Sequence, residues 1–417
     1  MDLDGNGTLE RAVAADAAYA GISKAVAPSV SAPVAWLLAL AAGLAVANAY
    51  YAQPLIDVIA DTFGLGHAVA GSIITLTQVG YAAGLVLVVP LGDLFDRRRL
   101  IIGQLVVLAA ALLLVAFAGN AGVLLAGLAA VGMLTVVTQQ LVAHAASLAR
   151  PSERGRIVGI VTSGIITGIL VARTVSGTLS DLLGWRSVYI VSAVAILLIA
   201  LLLAATLPAQ ARPRVRVPYG RLIVSVFTLF AQEKVLRVRG ALALLIFAAV
   251  TALWTPMVLP LSAPPLSLSH TQVGLFGLAG ALGALGAAAA GRLADRGHAE
   301  RTTGIALALM LLSWWPVALL HVSLWPLVIG IVVIDFGLQA VHVSNQSLIY
   351  QVRPDAQSRL AAAYMLCYCA GCGGGSLAST LVYDRFGWSG VCLLGAVFSA
   401  LALLVWAVAR PRPAPAR

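Results

Sequence analysis

Long apolar runs, each broken by a few polar or turn-forming residues, recur along the whole chain. They fall at 34–57, 69–91, 99–118, 121–148, 157–180, 187–207, 241–262, 270–290, 302–321, 325–350, 360–382 and 389–409. Each is close to the roughly 20 residues that a helix needs to cross a bilayer. None alternates apolar and polar side chains at every second position, as a membrane-barrel strand does. A segment in lipid must satisfy its own backbone polar groups, which leaves helices or closed barrels. The continuous runs therefore predict an all-α membrane protein with twelve transmembrane helices.

Composition points the same way. Of 417 residues, 61% are hydrophobic and 10% are charged, where a soluble domain carries about 25% charged residues. Mean hydropathy is +0.98. A net charge of +10 would raise nucleic acid as a partner for a soluble protein. Here its distribution gives a simpler account. With a cytoplasmic N-terminus, all of the 26 basic residues except Arg173, Arg186 and Arg385 fall in the tails and the even-numbered loops. Positive residues stay inside, so both termini are expected in the cytoplasm and nucleic acid is not expected as a partner. Lysine is confined to Lys24 and Lys234, and alanine is abundant. That balance suggests a GC-rich bacterial genome, hence a bacterial inner membrane.

The runs divide the chain. Residues 1–32 read as a disordered cytoplasmic tail without a signal-peptide pattern, and 410–417 as a second tail. Residues 33–207 and 241–409 hold six runs each. Between them, 208–240 is a basic cytoplasmic linker in which Tyr219 to Glu233 reads as an amphipathic helix on the membrane surface. The halves repeat at an offset of about 200 residues. Arg150, Pro151 and Arg156 match Arg353, Pro354 and Arg359; Asp181, Gly184 and Trp185 match Asp384, Gly387 and Trp388. Gly92, Leu94, Asp96 and Arg97 match Gly291, Leu293, Asp295 and Arg296. Two pseudo-symmetric six-helix bundles follow, with a solute site between them near the midplane.

The two GxLxDR loops, the twelve runs and the basic central loop resemble the major facilitator superfamily over nearly the whole chain. The resemblance implies that Gly92, Asp96, Arg97, Gly291, Asp295 and Arg296 form a conformational latch on the cytoplasmic side. Asn48, Tyr50, Tyr51, Gln53 and Pro54, with Gly164, Gly168 and Arg173 to Gly177, are similar to bacterial drug and sugar efflux members. The fifth-span Gly-Pro and Gly-Gly pairs and the fourth-span arginine of those exporters are absent.

Charges inside spans cost roughly 2.5–3.5 kcal/mol each and mark functional positions. Arg173 lies in run five and Asp335 in run ten. Asp335, Gln339, His342 and Gln346 are spaced by four, three and four residues, which sets them on one helical stripe. The stripe reads as a wall of the solute pathway, the alternative being a buried interhelical network. Asn48, Tyr51, Gln53, Thr135, Gln139, Arg173 and Trp254 join the expected pathway. Gln140, His144 and Ser147 occupy a second polar face of run four, and Trp254 is evenly divided between pathway and interface belt. Asp335, His342 and Arg173 are the expected proton-coupling set, Arg173 holding Asp335 ionised in one state; a permanent pair, or two separate networks, is the alternative. Asp57 is expected to face water, and Trp185 and Trp388 to anchor at the interface.

The first functional reading is a monomeric secondary transporter exporting a small organic solute against protons. An importer or facilitator of a sugar or organic acid is the second, and a non-transporting receptor of the same fold the third. No GxxxxGK[ST] loop or nucleophile–base set marks an ATP-driven pump or an enzyme. No cofactor is expected. Cys369 and Cys372 form a CxxC, read as small packing residues, because no histidine or carboxylate nearby completes a metal set.

Overall fold

The computed structural model describes residues 31–150, 153–207, 219–283, 290–293, 296–352 and 357–409. Among these, nine helices are long and apolar enough to cross a membrane. The longest, Arg359–Ala409, is two crossings. At Gly387 the backbone takes φ 60° and ψ −159° and the chain folds back. Trp388 then donates to the Val317 carbonyl near one end of span nine, and Trp406 to Glu300 at the other. Two shorter helices complete the set. Ala32–Ala47 continues past a break into Gln53–Leu55 and Ile56–Thr62 as span one. His270–Gly283 lies in the eighth apolar run. Among the described residues the helices trace the expected fold, twelve crossings in two six-helix bundles.

Local chemistry places the breaks. Asn48 ends the first helix of span one, its Nδ2 donating to the Leu44 and Ala45 carbonyls of the last turn. Asp96 and Asn120 cap spans three and four through the Arg99 and Val123 amides, at 2.8 and 2.9 Å. Span four is interrupted at Val136, between Ala121–Thr135 and Val137–Leu148. There Thr135 and Thr138 turn their hydroxyls onto the Gly132 and Thr135 carbonyls, competing with the helix ladder. Spans five and six meet at Gly184, whose φ of 82° and ψ of 156° resemble the turn at its repeat partner Gly387.

The connections after spans one, three, five, seven, nine and eleven lie at one face, called here the odd face; the others lie at the even face. Two seams join the bundles. Along spans two and eleven, Thr75 donates to the Gly373 carbonyl at 2.9 Å and Ser376 to that of Gly71 at 3.1 Å. Along spans five and eight, Thr174 donates to the Gly274 carbonyl at 3.0 Å. Within the first bundle, spans one and five touch backbone to backbone. A Cβ at Gly43 would come within 2.6 Å of the Gly164 carbonyl oxygen.

The linker helix Tyr219–Gln232 does not float free on a lipid surface. Val226 and Leu229 are buried and Phe230 joins the core, while Val224 and Phe227 are exposed. Tyr219 donates to the Leu87 carbonyl of span two, and Arg237 closes the helix end on the Phe230 and Ala231 carbonyls. Residues 1–30, 208–218 and 410–417, which include both expected tails except Ser31 and Ala32, lie outside the described residues. Trp185 and Trp388 are buried rather than anchored at an interface, at 5% and 3% exposure. Their indoles donate to Thr62 and to the Val317 carbonyl.

Candidate functional site

Arg173 sits two-thirds of the way along span five with only 6% of its surface exposed. A buried guanidinium needs compensation, and both bundles supply it. From span one, Gln53 accepts a hydrogen bond from Arg173 Nε at 2.9 Å, and the Tyr50 ring lies 5.5 Å from the guanidinium carbon. From span seven, the Trp254 ring stacks at 3.9 Å, within cation–π range. The Trp254 indole in turn donates to Asp335 of span ten at 3.4 Å. Among the described residues no direct ion pair joins Arg173 to Asp335. The opposite charges attract across the indole that separates them. Span eight passes close by: Gly277 abuts the Arg173 side chain and Gly280 abuts the Asp335 carboxylate. A small cavity of about 10 Å³ is lined by Gln53, Pro54, Arg173, Trp254 and Val273. That is room for about one water molecule, so the cluster is closed in this conformation.

Towards the even face the site becomes aromatic. Tyr50 and Tyr368 share a hydroxyl–hydroxyl hydrogen bond of 2.8 Å across the bundle interface. Tyr368 packs edge-on against Phe247 at 4.2 Å and near Tyr81 at 6.5 Å. Phe247 packs edge-on against His342, whose Nδ1 lies 3.0 Å from the Tyr364 hydroxyl. Gln139 of span four donates to the Tyr81 hydroxyl at 3.2 Å. Spans one, two, four, five, seven, ten and eleven thus meet in one connected set of polar and aromatic contacts.

Of the expected pathway residues, the structure brings Gln53, Gln139, Arg173, Trp254 and His342 into this set, with Asp335. Trp254 is 3% exposed, a packed position rather than an interface belt. Gln339 and Gln346 are half-buried on the Asp335 helix. Asn48 is placed elsewhere: its Oδ1 accepts from Ser192 of span six at 2.7 Å, inside the first bundle. Thr135 is fully buried and bonded to its own helix. Tyr51 lines a separate apolar groove of about 360 Å³ between spans one and five, with Trp36, Gly43 and Gly168. His342 bonds Tyr364 and not Asp335. Asp57, expected in water, touches His270 of the other bundle.

At the even face, Arg97 donates to the Gly92 and Ala143 carbonyls and Asp96 caps span three, which fixes the turn between spans two and three beside span four. In the second copy Gly291 is helical and Arg296 lies in an exposed turn; Asp295 lies outside the described residues.

Sequence reasoning missed Tyr81, Phe247, Tyr364 and Tyr368, and used Tyr50 for resemblance alone. A search for charges passes over tyrosine. For Tyr81 and Tyr368 the signal that would have found them is position, since a tyrosine well inside a span is not where interface tyrosines collect; Phe247 and Tyr364, the latter five residues past Arg359 where its span begins, carry no such signal.

Residues 38–376 and 242–417 match the family described as Major Facilitator Superfamily. An uncharacterised transporter of Escherichia coli, YgaY, is 47% identical over 370 residues, covering 89% of this chain and 94% of its own. A protein of Streptomyces coelicolor named as a transporter is 34% identical over 385 residues, covering 91% of this chain and 87% of that one. A bacterial homologue of the human lysosomal transporter Spinster, solved inward-facing, superposes with a TM-score of 0.74 at 16% identity, over 92% of this chain and 100% of that one. The nucleoside transporter NupG superposes with a TM-score of 0.72 at 14% identity, over 89% and 98%. Likeness at such identities is likeness of fold.

Proposed function

Because the chain belongs to the major facilitator superfamily, and so is a multi-pass membrane transporter, we propose that it is a secondary active exporter of a small organic solute, coupled to protons. It works by alternating access in a bacterial inner membrane with both termini cytoplasmic, so the odd face is outside. The observation that carries this reading is the cluster of Arg173, Trp254 and Asp335. One bundle supplies the cation; the other supplies the ring and the carboxylate. Rocking one bundle against the other must separate Arg173 from Trp254 and change what compensates Asp335. A carboxylate whose compensation differs between two states binds protons differently in them, which is the requirement for coupling. The aromatic set between Tyr50 and His342 is the solute wall. Its rings give apolar area and its hydroxyls and amides give orientation.

The test has two steps. Thermal-shift screening of purified protein identifies a stabilising solute, since a ligand that binds the folded state raises the melting temperature. Transport of that solute is then measured in proteoliposomes for the parent and for Asp335→Asn. The expected result is loss of pH-gradient-driven transport with solute counterflow retained. Undiminished gradient dependence in Asp335→Asn removes Asp335 from coupling, and gradient-driven movement in the opposite direction removes export.

A further inference from the structure

At the odd face a histidine of one bundle stands between two carboxylates of the other. His270, the first residue of the helix His270–Gly283, places Nε2 at 3.1 and 3.3 Å from the two oxygens of Asp57, on span one. Its Nδ1 lies 3.1 Å from Oδ1 of Asp181, on span five. A neutral imidazole carries one N–H and one lone pair, so it donates to one carboxylate and turns a lone pair on the other. Both contacts are favourable together in the imidazolium, as two charge-assisted hydrogen bonds. Asp181 has a further role that needs no proton on the ring: it accepts from the His270 and Thr271 amides and from the Thr271 hydroxyl, at 3.2, 2.7 and 2.6 Å. The proton-dependent part of the seam is therefore His270 against Asp57. Among the described residues, Asp57 and Asp181 are the charged groups that face the ring. The connection 263–269 and the rest of the helix to Gly283 carry no other charged residue.

We infer that His270 is a proton-binding site that locks the odd face: a proton on its ring bridges Asp57 and Asp181 and holds the two bundles together there. The three side chains are about one-fifth to one-quarter exposed (21% for His270, 19% for Asp57 and 24% for Asp181), so solvent protons reach them. Opening this face parts His270 from Asp57 and Asp181. Proton binding and closure then favour each other by linkage. Acidification closes this face and alkalinisation releases it, whichever group couples transport in the membrane interior. On the proposed orientation the sensed compartment is the cell exterior.

Spin labels at Leu183 and Phe386 report the state directly. Both are exposed, at 69% and 68%, one at the odd end of each bundle. With the four native cysteines replaced by serine, inter-label distances are measured by pulsed electron resonance from about pH 5 to about pH 8.5, bracketing the free imidazole value of about 6.5. In the labelled parent the ratio of closed to open populations is expected to fall about tenfold or more across that range, within the usual size of linked equilibria. His270→Gln, which keeps one donor and cannot be protonated, is expected to lose that response, and Asp57→Asn to lose most of it. His270→Lys, cationic throughout, is expected to stay closed. A parent distribution that does not move with pH overturns the inference. So does a His270→Gln or Asp57→Asn protein with the parent's midpoint and amplitude. The readout is conformation rather than flux, so it stands or falls independently of Asp335.

Discussion

Arg173 is compensated by several groups at once: the Gln53 amide, two aromatic faces and a carboxylate reached through an indole. Truncating one member of such a set leaves another stranded. Arg173→Gln removes the cation and leaves Asp335 buried without its opposite charge, expected to cost about 3–5 kcal/mol. Adding Asp335→Asn removes the stranded charge too, so the double variant should recover most of the melting temperature lost by Arg173→Gln. Thermal unfolding in detergent, run as a double-mutant cycle, measures the recovery. Transport should not recover with it if Asp335 couples transport as proposed, because the double variant lacks that carboxylate. Arg173→Lys keeps the charge but gives up the planar stack on Trp254 and the directed Nε bond to Gln53; it should fall between the parent and Arg173→Gln. Additive losses in the cycle would show that the two charges do not sense each other through Trp254. Much of this cluster was legible in the sequence, because Arg173 and Asp335 are costly wherever they stand in lipid. Its connector was not. Trp254 carries no charge, and only its neighbours show that it is a stack partner and a donor rather than an interface residue.

At the scale of elements, the apolar runs give the crossings because every helix must hide its backbone from lipid. They give far less about which face is buried. A helix between lipid and protein is apolar on both sides, so periodicity does not separate them. Span six shows this: Ile196, Ile199 and Leu203 are buried while Leu198, Leu201 and Leu202 are exposed, and Ser192 alone among the residues from 190 to 205 is polar and marks the buried side. The same limit explains why Asn48 and Thr135 were expected in the pathway. Polarity shows that a residue avoids lipid, and it is silent on whether the partner is water or the next helix. The repeat is more informative, since it predicts geometry at paired positions. Gly184 and Gly387 both hold positive φ with an extended ψ, a region essentially reserved for glycine and costing about 1–3 kcal/mol for other residues. Open space surrounds the missing Cβ at both positions, so the penalty is backbone strain and not a clash. Gly184→Ala and Gly387→Ala should therefore lower thermal stability by similar amounts, each in that range. A variant indistinguishable from the parent would show that its hairpin accepts another turn.

For the whole molecule, the distribution of burial along span five says where the crevice opens. Towards the odd face Arg173, Ser176, Gly177 and Ser180 are buried, and Gly177 meets the His270 backbone of the other bundle. Towards the even face Gly155, Arg156, Gly159 and Thr162 are exposed. The seam between spans five and eight is thus made by their odd ends, where the His270 bridge also lies. A transporter closed at one face must admit solute from the other, and on the proposed orientation that other face is the cytoplasmic one. Exposure alone does not separate lipid from water, but a charged thiol reagent does, because it reacts in water and does not cross the bilayer. In a background with the native cysteines replaced, Thr162→Cys should be labelled in inside-out vesicles and spared in intact cells. Thr174→Cys, at the sealed seam, should react more slowly from either side. Labelling of Thr162→Cys from outside alone would invert the orientation, and with it the compartment whose acidity His270 senses. Absence of labelling from both sides would place that stripe of span five against lipid and require the solute to enter along spans four and ten instead.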